Sequence, residues 1–549
     1  MLSANITAFF LVSFLTRVVT VFSFSALTRP RIYDGIQHRS GTATPKLWAE
    51  SSDDVNISTK SLGKVIFLLP NDCANIESRF GNRSPYGNPS ILMAAEHMCR
   101  KMKWFSDDTI DAQIMIMEND QDMKTLEDNL IAADALLAFN IENEHQSSFL
   151  QRIFETRRMN MDKNLCHFAF DCGSELYPVC GPFDSASPSL SSSLVPWSFD
   201  ATGKRIEEQM ITLFNRWTSD DFVVALLVYF NQFRGEVGWV KHSIDATWEK
   251  GVVQNAKEFY GMATKCGPCI VKCLQDENCK ACLDALTAID TRDQVASYRT
   301  IVSYESELLK DFTLCILQKN NIFGCSSTIP ELPKVKPMQT FRGSLLTQEV
   351  ARRILIGHLN DEFALEGGQN IDTSWKVAAG ANVAYDQFPS QNQIFYKAAS
   401  GKDMWYDPVF RVETIDGRHV WCKRHYRVRD GPVPGTFFFS VLDNGVTSSE
   451  FWTIVDCADD LSHIVFHYAG AASAVGQRYL GGLLCTADGS LPTDRDHIYE
   501  KLRSAGIEPW ELFVVDNSVD SIGAKQAGPP PLRYFREQLQ RKRSVDKIS

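Results

Sequence analysis

The chain is 549 residues long, more than one ordinary hydrophobic core encloses, so two to four domains are expected. Its 56 basic and 67 acidic residues give a formal net charge of −11, which argues against a nucleic-acid binder that works by broad charge neutralisation. At 44% hydrophobic and 11% aromatic, the composition is globular and forces no special class.

Residues 1–55 read as a targeting leader. "MLSANITAFFLVSFLTRVVTVFSFSALTRPR" holds an apolar stretch of signal length, interrupted by Arg17 and followed by small and then basic residues. A membrane anchor is the other reading of it. The polar, pattern-free stretch behind it suits a transit peptide, and the pair predicts delivery into a plastid bounded by extra membranes. No later run of eighteen or more apolar residues occurs, so the mature chain is expected to be soluble.

Residues 61–182 alternate as an α/β domain does: "KVIFLLP", "AQIMIME", "ALLAFNI" and "CHFAFDCG" read as strands. "SILMAAEHMCRKMKWF", "MKTLEDNLIAA" and "QSSFLQRIFETRR" read as the helices between them. No glycine fingerprint for phosphate follows the first strand, and the domain's role is open. Cys166, Cys172 and Cys180 lie near enough to pair locally. Residues 183–203 are a Ser/Pro-rich linker.

Residues 204–326 read as a helical domain with a cysteine-rich segment at 266–325. Cys266, Cys269, Cys273, Cys279, Cys282, Cys315 and Cys325 crowd there with few continuous apolar runs between them, so disulfide staples are the expectation. A zinc site and free thiols are the alternatives, and no metal is expected. "CGPC" has the form of a redox dithiol, but it follows a helical stretch rather than a strand, which favours a structural role. Residues 327–371 read as a proline-marked connector.

From 372 to 490 the apolar period becomes two. Eight short strand candidates, from "SWKVAAG" to "YLGGLLCTA", predict an eight-stranded antiparallel up-and-down barrel whose interior holds a small ligand, with a solidly packed sandwich as the bland alternative. Residues 491–549 supply a flanking helix, "DRDHIYEKLRSAG", and a tail.

"DTSWKVAAGANVAYDQF", "FHYAGAASAVGQRYLGGLLCTADGSLP" and the upstream cysteines together resemble the violaxanthin de-epoxidase family, closest to its violaxanthin de-epoxidase-related branch, over roughly residues 250–520. The resemblance implies a lipocalin-like barrel behind a cysteine-rich segment. It also implies an oxidoreductase of the xanthophyll cycle that removes an epoxide oxygen from a xanthophyll, with ascorbate as reductant. The expected setting is a plastid, in the thylakoid lumen or on the lumen face of the membrane. The expected partners are the pigment and the thylakoid lipid surface, with no nucleic acid, and with pairing into a homodimer at acidic pH. The alternative is a carotenoid- or lipid-binding lipocalin without turnover. A third reading is a thiol redox protein using Cys266 and Cys269.

Carried over residue by residue, the resemblance implies Glu450 as the catalytic acid, where the family has an Asp two residues before a Trp, here Trp452. The family's second catalytic hydroxyl, a tyrosine, falls on Cys485. Trp375, Asp386, Trp452, Tyr468, Tyr479 and Gly481 are the implied substrate-binding positions, Asp386 as a carboxylate near the mouth. The family's arginine after Tyr468 is Ala469, and Pro389 and Ser390 replace a second carboxylate and a cysteine. The glycines of "YLGGLLCTADG" are expected to leave room, Gly481 beside a ligand and Gly482 for the outer helix.

Overall fold

The computed structural model describes residues 63–78, 80, 84, 86–106, 108–117, 123–159, 166–172, 180–181, 222–223, 226–227, 251–289, 294–359, 373–382, 385–386, 388–398, 403–493 and 495–518. The leader, the Ser/Pro-rich linker, most of 204–250 and the tail beyond 518 lie outside these residues.

The first unit is an α/β sheet. Strands β1 (Gly63–Pro70), β2 (Ile110–Met117), β3 (Ala135–Phe139) and β4 (Cys166–Phe170) run parallel in the order β2-β1-β3-β4, and β5 (Cys180–Gly181) adds an antiparallel edge. Helices α1 (Ile91–Phe105), α2 (Met123–Ala132) and α3 (Glu144–Met159) connect them, as parallel strands require. Both faces of β1 are buried, Phe67 in one apolar cluster and Leu68 in another, which explains its unbroken apolar run. The Cys172 thiol accepts from Ile141 N at 3.4 Å, so it is not paired locally as the sequence suggested.

The cysteine-rich segment is helical. It comprises α4 (Gly251–Gln275), α5 (Glu277–Ala288), α6 (Gln294–Ser303) and α7 (Glu307–Thr313), the last running into a π-helical turn, Leu314–Lys319. Two disulfides staple it, Cys266–Cys315 and Cys273–Cys279. This corrects the wider framework expected from sequence: Cys269 and Cys282 are thiols, and Cys325 is in neither bond. The "CGPC" pair lies inside α4, and Cys266 bonds to Cys315 rather than Cys269.

The connector is more than a link. A small hairpin, β6 (Thr340–Phe341) with β7 (Ser344–Leu345), leads into α8 (Gln348–Ile356), whose N-terminus is capped by Thr347 accepting from Val350 N at 3.2 Å.

The C-terminal sheet is curled and antiparallel. Its strands are β8 (Trp375–Gly380), β9 (Asn392–Gln393), β10 (Phe395–Lys397), β11 (Met404–Tyr406), β12 (Val409–Glu413), β13 (His419–Lys423) and β14 (Tyr426–Asp430). The longer β15 (Thr436–Asp443), β16 (Val446–Cys457), β17 (His463–Ala472) and β18 (Gln477–Thr486) follow, and β19 (Phe513–Val514) adds to β8. The order β10-β11-β14-β15-β16-β17-β18-β8-β9-β12-β13 makes twelve strands with β19, not the eight continuous ones expected. The excess has a local cause. Three stretches predicted as single strands each break in two, at Ile394, at Asp407–Pro408 and at Arg424–His425. A proline cannot donate to the ladder, and buried Asp407 turns its carboxylate onto Lys423 at 2.8 Å and His425 at 2.6 Å.

One end of this sheet is plugged by α8. Trp375, fully buried, donates from Nε1 to Ile354 O at 3.0 Å, and Gly357 lies so close that a Cβ there would meet Nε1 at 2.5 Å. The other end is covered by the cysteine-rich helices. Ser303 on α6 accepts from Ile415 N at 2.9 Å, Gln318 accepts from Thr447 N at 2.9 Å, and Ser327 donates to Gln477 O at 3.1 Å. Tyr298 stacks near Tyr385 and Phe388 at 5.6 and 5.8 Å. The helical segment and the residues just after it therefore contact the sheet at several points along that end. The helix predicted after the last strand is α9 (Asp496–Ser504), which packs on the outer face through Ile498 and Leu502 against Val465 and Leu484.

Candidate functional site

Alternation along β16, β17 and β18 sends Glu450, Trp452, Tyr468 and Tyr479 to the inner face. Cross-strand pairing sets them in two rows. Glu450 lies opposite Gly470, which lies opposite Tyr479; Trp452 lies opposite Tyr468, which lies opposite Gly481. In each row a glycine takes the place where a side chain would block a phenol.

In the first row, Tyr479 lies flat across Gly470, whose added Cβ would come within 2.1 Å of the ring, and its hydroxyl donates to Glu450 Oε1 at 2.8 Å. Trp452 Nε1 donates to the other oxygen, Oε2, at 2.6 Å. In the second row, Tyr468 lies across Gly481 and donates to both oxygens of Asp386 at 3.0 Å. Asp386 lies over Gly380, whose Cβ would stand 2.2 Å from Asp386 Cβ, and accepts from Asn382 N at 2.7 Å. Trp452 and Tyr468 stack with ring centres 5.2 Å apart, joining the two rows.

Both carboxyls are buried, Glu450 at 6% and Asp386 at 1% exposure. Burial raises Glu450 above its ordinary value against the pull of the Trp452 and Tyr479 hydrogen bonds. Burial pushes Asp386 up to about 7, and the nearby Glu450 charge adds to it. The arrangement offers two buried carboxyls with strengthened hold on a proton, each bound to a phenol, in a site lined with aromatic faces.

The sequence-predicted residues divide. Glu450, Trp452, Tyr468, Tyr479 and Asp386 meet in one buried cluster, but Asp386 is a walled-in carboxyl rather than a mouth group open to solvent. The space left by Gly481 is filled by the Tyr468 ring, not left free beside a ligand. Gly482 faces outward, but its space is filled by Ile507, in the segment past α9, rather than by the outer helix that the sequence suggested. Cys485 sits deeper on β18, opposite Ile464 and Val377, and burial with the Asp386 charge drives its thiol well above the ordinary range. Trp375 belongs to the plugged end.

Sequence reasoning missed several inner groups. Tyr406 donates to Gln393 Oε1, and Tyr406 and Tyr426 pack edge-on against the stacked Phe439–Trp452 pair. Their signal was present in the period-two alternation of "MWYDPVFRV" and "VWCKRHYRV", which keeps its phase across both strand breaks: Met404, Tyr406, Phe410 and Val412 are buried in the first stretch, and Cys422, Tyr426 and Val428 in the second. Among possible metal donors, the sulfurs of Cys266, Cys269 and Cys315 lie within 4.8 Å of one another, and the disulfide uses two of them.

Residues 258–517 match the family model described as the VDE lipocalin domain. No curated protein matches the chain. Solved structures similar to it include apocrustacyanin C2, at 12% identity over 26% of this chain and 75% of that one, with a TM-score of 0.20. The siderocalin Ex-FABP is 11% identical over 26% of this chain and 91% of its own, and lobster apocrustacyanin A1 is 12% identical over 34% and 93%, both with TM-scores of 0.21. At such scores these likenesses carry no argument.

Proposed function

Because residues 258–517 are a VDE lipocalin domain, we propose that this protein binds a xanthophyll inside the curled sheet. The single observation that carries the reading is the buried inner cluster of Glu450, Trp452, Tyr468, Tyr479 and Asp386. A solid core would be aliphatic there; two carboxyls and two phenols among aromatic faces suit a long apolar ligand that bears oxygen. Closure of the sheet into an eight-stranded calyx is part of the reading. It is supported by β9 and β10, which are one residue apart yet pair with β8 and β11 respectively. The test is to incubate the full mature chain with violaxanthin micelles and pass it through a sizing column. Pigment should co-elute with protein and show a shifted absorbance; pigment that elutes apart refutes the reading.

A second reading, turnover, is favoured by one observation. The phenol absent at Cys485 has a counterpart in Tyr479, whose hydroxyl rests on Glu450. In reductive de-epoxidation both C–O bonds of the epoxide break and the oxygen leaves as water. The two electrons and two protons come from ascorbate, which becomes dehydroascorbate. Glu450, whose hold on a proton burial strengthens, would hand a proton to the epoxide oxygen and recover one from ascorbate. An acidified thylakoid lumen is the setting this calls for, with pigment supplied from the lipid surface. Product chromatography after incubation with ascorbate near pH 5 tests it: conversion lost in Glu450→Gln supports the acid, and bound but unchanged pigment in the wild type leaves binding alone.

A further inference from the structure

Three hydrogen-bond donor groups under the cysteine-rich helices have no acceptor among the described residues. The hydroxyls of Tyr298, on α6, and Tyr385, in the loop after β8, are sealed from solvent and have no hydrogen-bond partner among the described residues. Their rings are 5.6 Å apart. Arg424, between β13 and β14, is buried at 7% exposure, and its Nη2 has no hydrogen-bond partner among the described residues either. Both phenols pack in one cluster with Cys422, two residues before Arg424; burial drives both phenols up, and the Arg424 charge opposes it. Buried donors without acceptors are costly and uncommon, and three in one place ask for a shared acceptor.

The charges around them indicate its kind. Arg424 Nε stands 2.7 Å from Asp443 Oδ1, and Nη1 stands 3.3 Å from Glu305 Oε1. Two carboxylates already answer the one cation, so a carboxylate or phosphate gains no net attraction here, whereas a neutral oxygen does. The spot also adjoins the inner cluster: Tyr385 immediately precedes Asp386 in the chain, and Gln391 Nε2 donates to the backbone carbonyls of both, at 3.2 and 2.6 Å.

We propose that Tyr298, Tyr385 and Arg424 form a subsite for a neutral hydroxyl or carbonyl oxygen at one end of the bound ligand. The cysteine-rich helices then act as a lid that contributes a ligand contact, Tyr298, as well as covering the sheet. The inference rests on the pigment reading above and adds end-group recognition to it.

The experiment measures binding of three polyenes to the full mature chain by absorbance shift: zeaxanthin, with ring hydroxyls; canthaxanthin, with ring carbonyls; and β-carotene, with neither. Wild type should bind the first two about tenfold more tightly than the third. Tyr298→Phe and Tyr385→Phe should each shrink that ratio, and the double variant should erase it, while β-carotene affinity stays as in wild type. That last readout is one that damage to the fold would move. Equal affinity for all three in the wild type, or a ratio that survives in the double variant, overturns the subsite and leaves the pigment reading standing. Failure of all three polyenes to bind overturns both.

Discussion

Replacing Gly481 by alanine tests the central feature of the inner cluster, a phenol laid flat over a bare backbone. The new Cβ would stand 2.0 Å from Tyr468 Cζ, 2.2 Å from its hydroxyl oxygen and 2.5 Å from Cε1, far inside van der Waals contact. The ring has little freedom to yield. Trp452 stacks on it with centres 5.2 Å apart, and its hydroxyl is held by both oxygens of Asp386 at 3.0 Å. Overpacking of this kind costs about 1–3 kcal/mol. If the ring swings out, Asp386 loses the phenol donor while still buried and keeps Asn382 N, at about another 1–3 kcal/mol. A total of about 2–6 kcal/mol is therefore expected as a lowered urea midpoint with unchanged slope, together with loss of near-ultraviolet dichroism from the stack. Tyr468→Ala removes the obstacle, so Gly481→Ala should add little to a chain that already carries it. A Gly481→Ala protein within about 0.5 kcal/mol of wild type, or costs that add fully in the double variant, would refute the reasoning.

Because Asp386 titrates near 7 when folded and near 3.9 in an unfolded chain, the folded state holds an extra proton between those values. Its contribution is full below about pH 4 and is lost as pH rises to about 7, at up to about 1.4 kcal/mol per unit. The stability difference between wild type and Asp386→Asn should therefore fall from wild type's favour over that window, and a difference that does not vary with pH would count against the burial argument. Glu511, after α9, lies 2.6 Å from Lys101 Nζ and 2.7 Å from His97 Nε2 on α1; burial opposes its charge, but those two partners outweigh burial and hold it well below the usual carboxylate range. Lys101→Met should cost about 3–5 kcal/mol in urea unfolding by stranding that carboxylate, and an unchanged midpoint would show that the α/β unit is not tied to the sheet this way. Removing the Cys266–Cys315 bond with paired alanines should cost about 2–4 kcal/mol, for a separation of 49 residues. A non-reduced peptide map that joins Cys266 to Cys269 instead would overturn the connectivity.

The sequence by itself determined the elements and their order. Period-two alternation located β15–β18 and the apolar runs located β1–β4, because burial on one or both faces is written directly into side-chain spacing. It also assigned Glu450 and Trp452 to one face, since two residues apart on a strand is one face. Tertiary structure decided what that spacing leaves open. The choice of Cys315 as the partner of Cys266 and the seating of α6 over the sheet's end depend on residues far apart in the chain. The glycines show the division most clearly. "YLGGLLCTADG" announced that something had to approach closely, but only the register of β17 against β18 brings the Tyr468 ring over Gly481, and only the fold beyond α9 brings Ile507 over Gly482. A missing side chain marks a contact without naming it, because the partner comes from another strand or another layer.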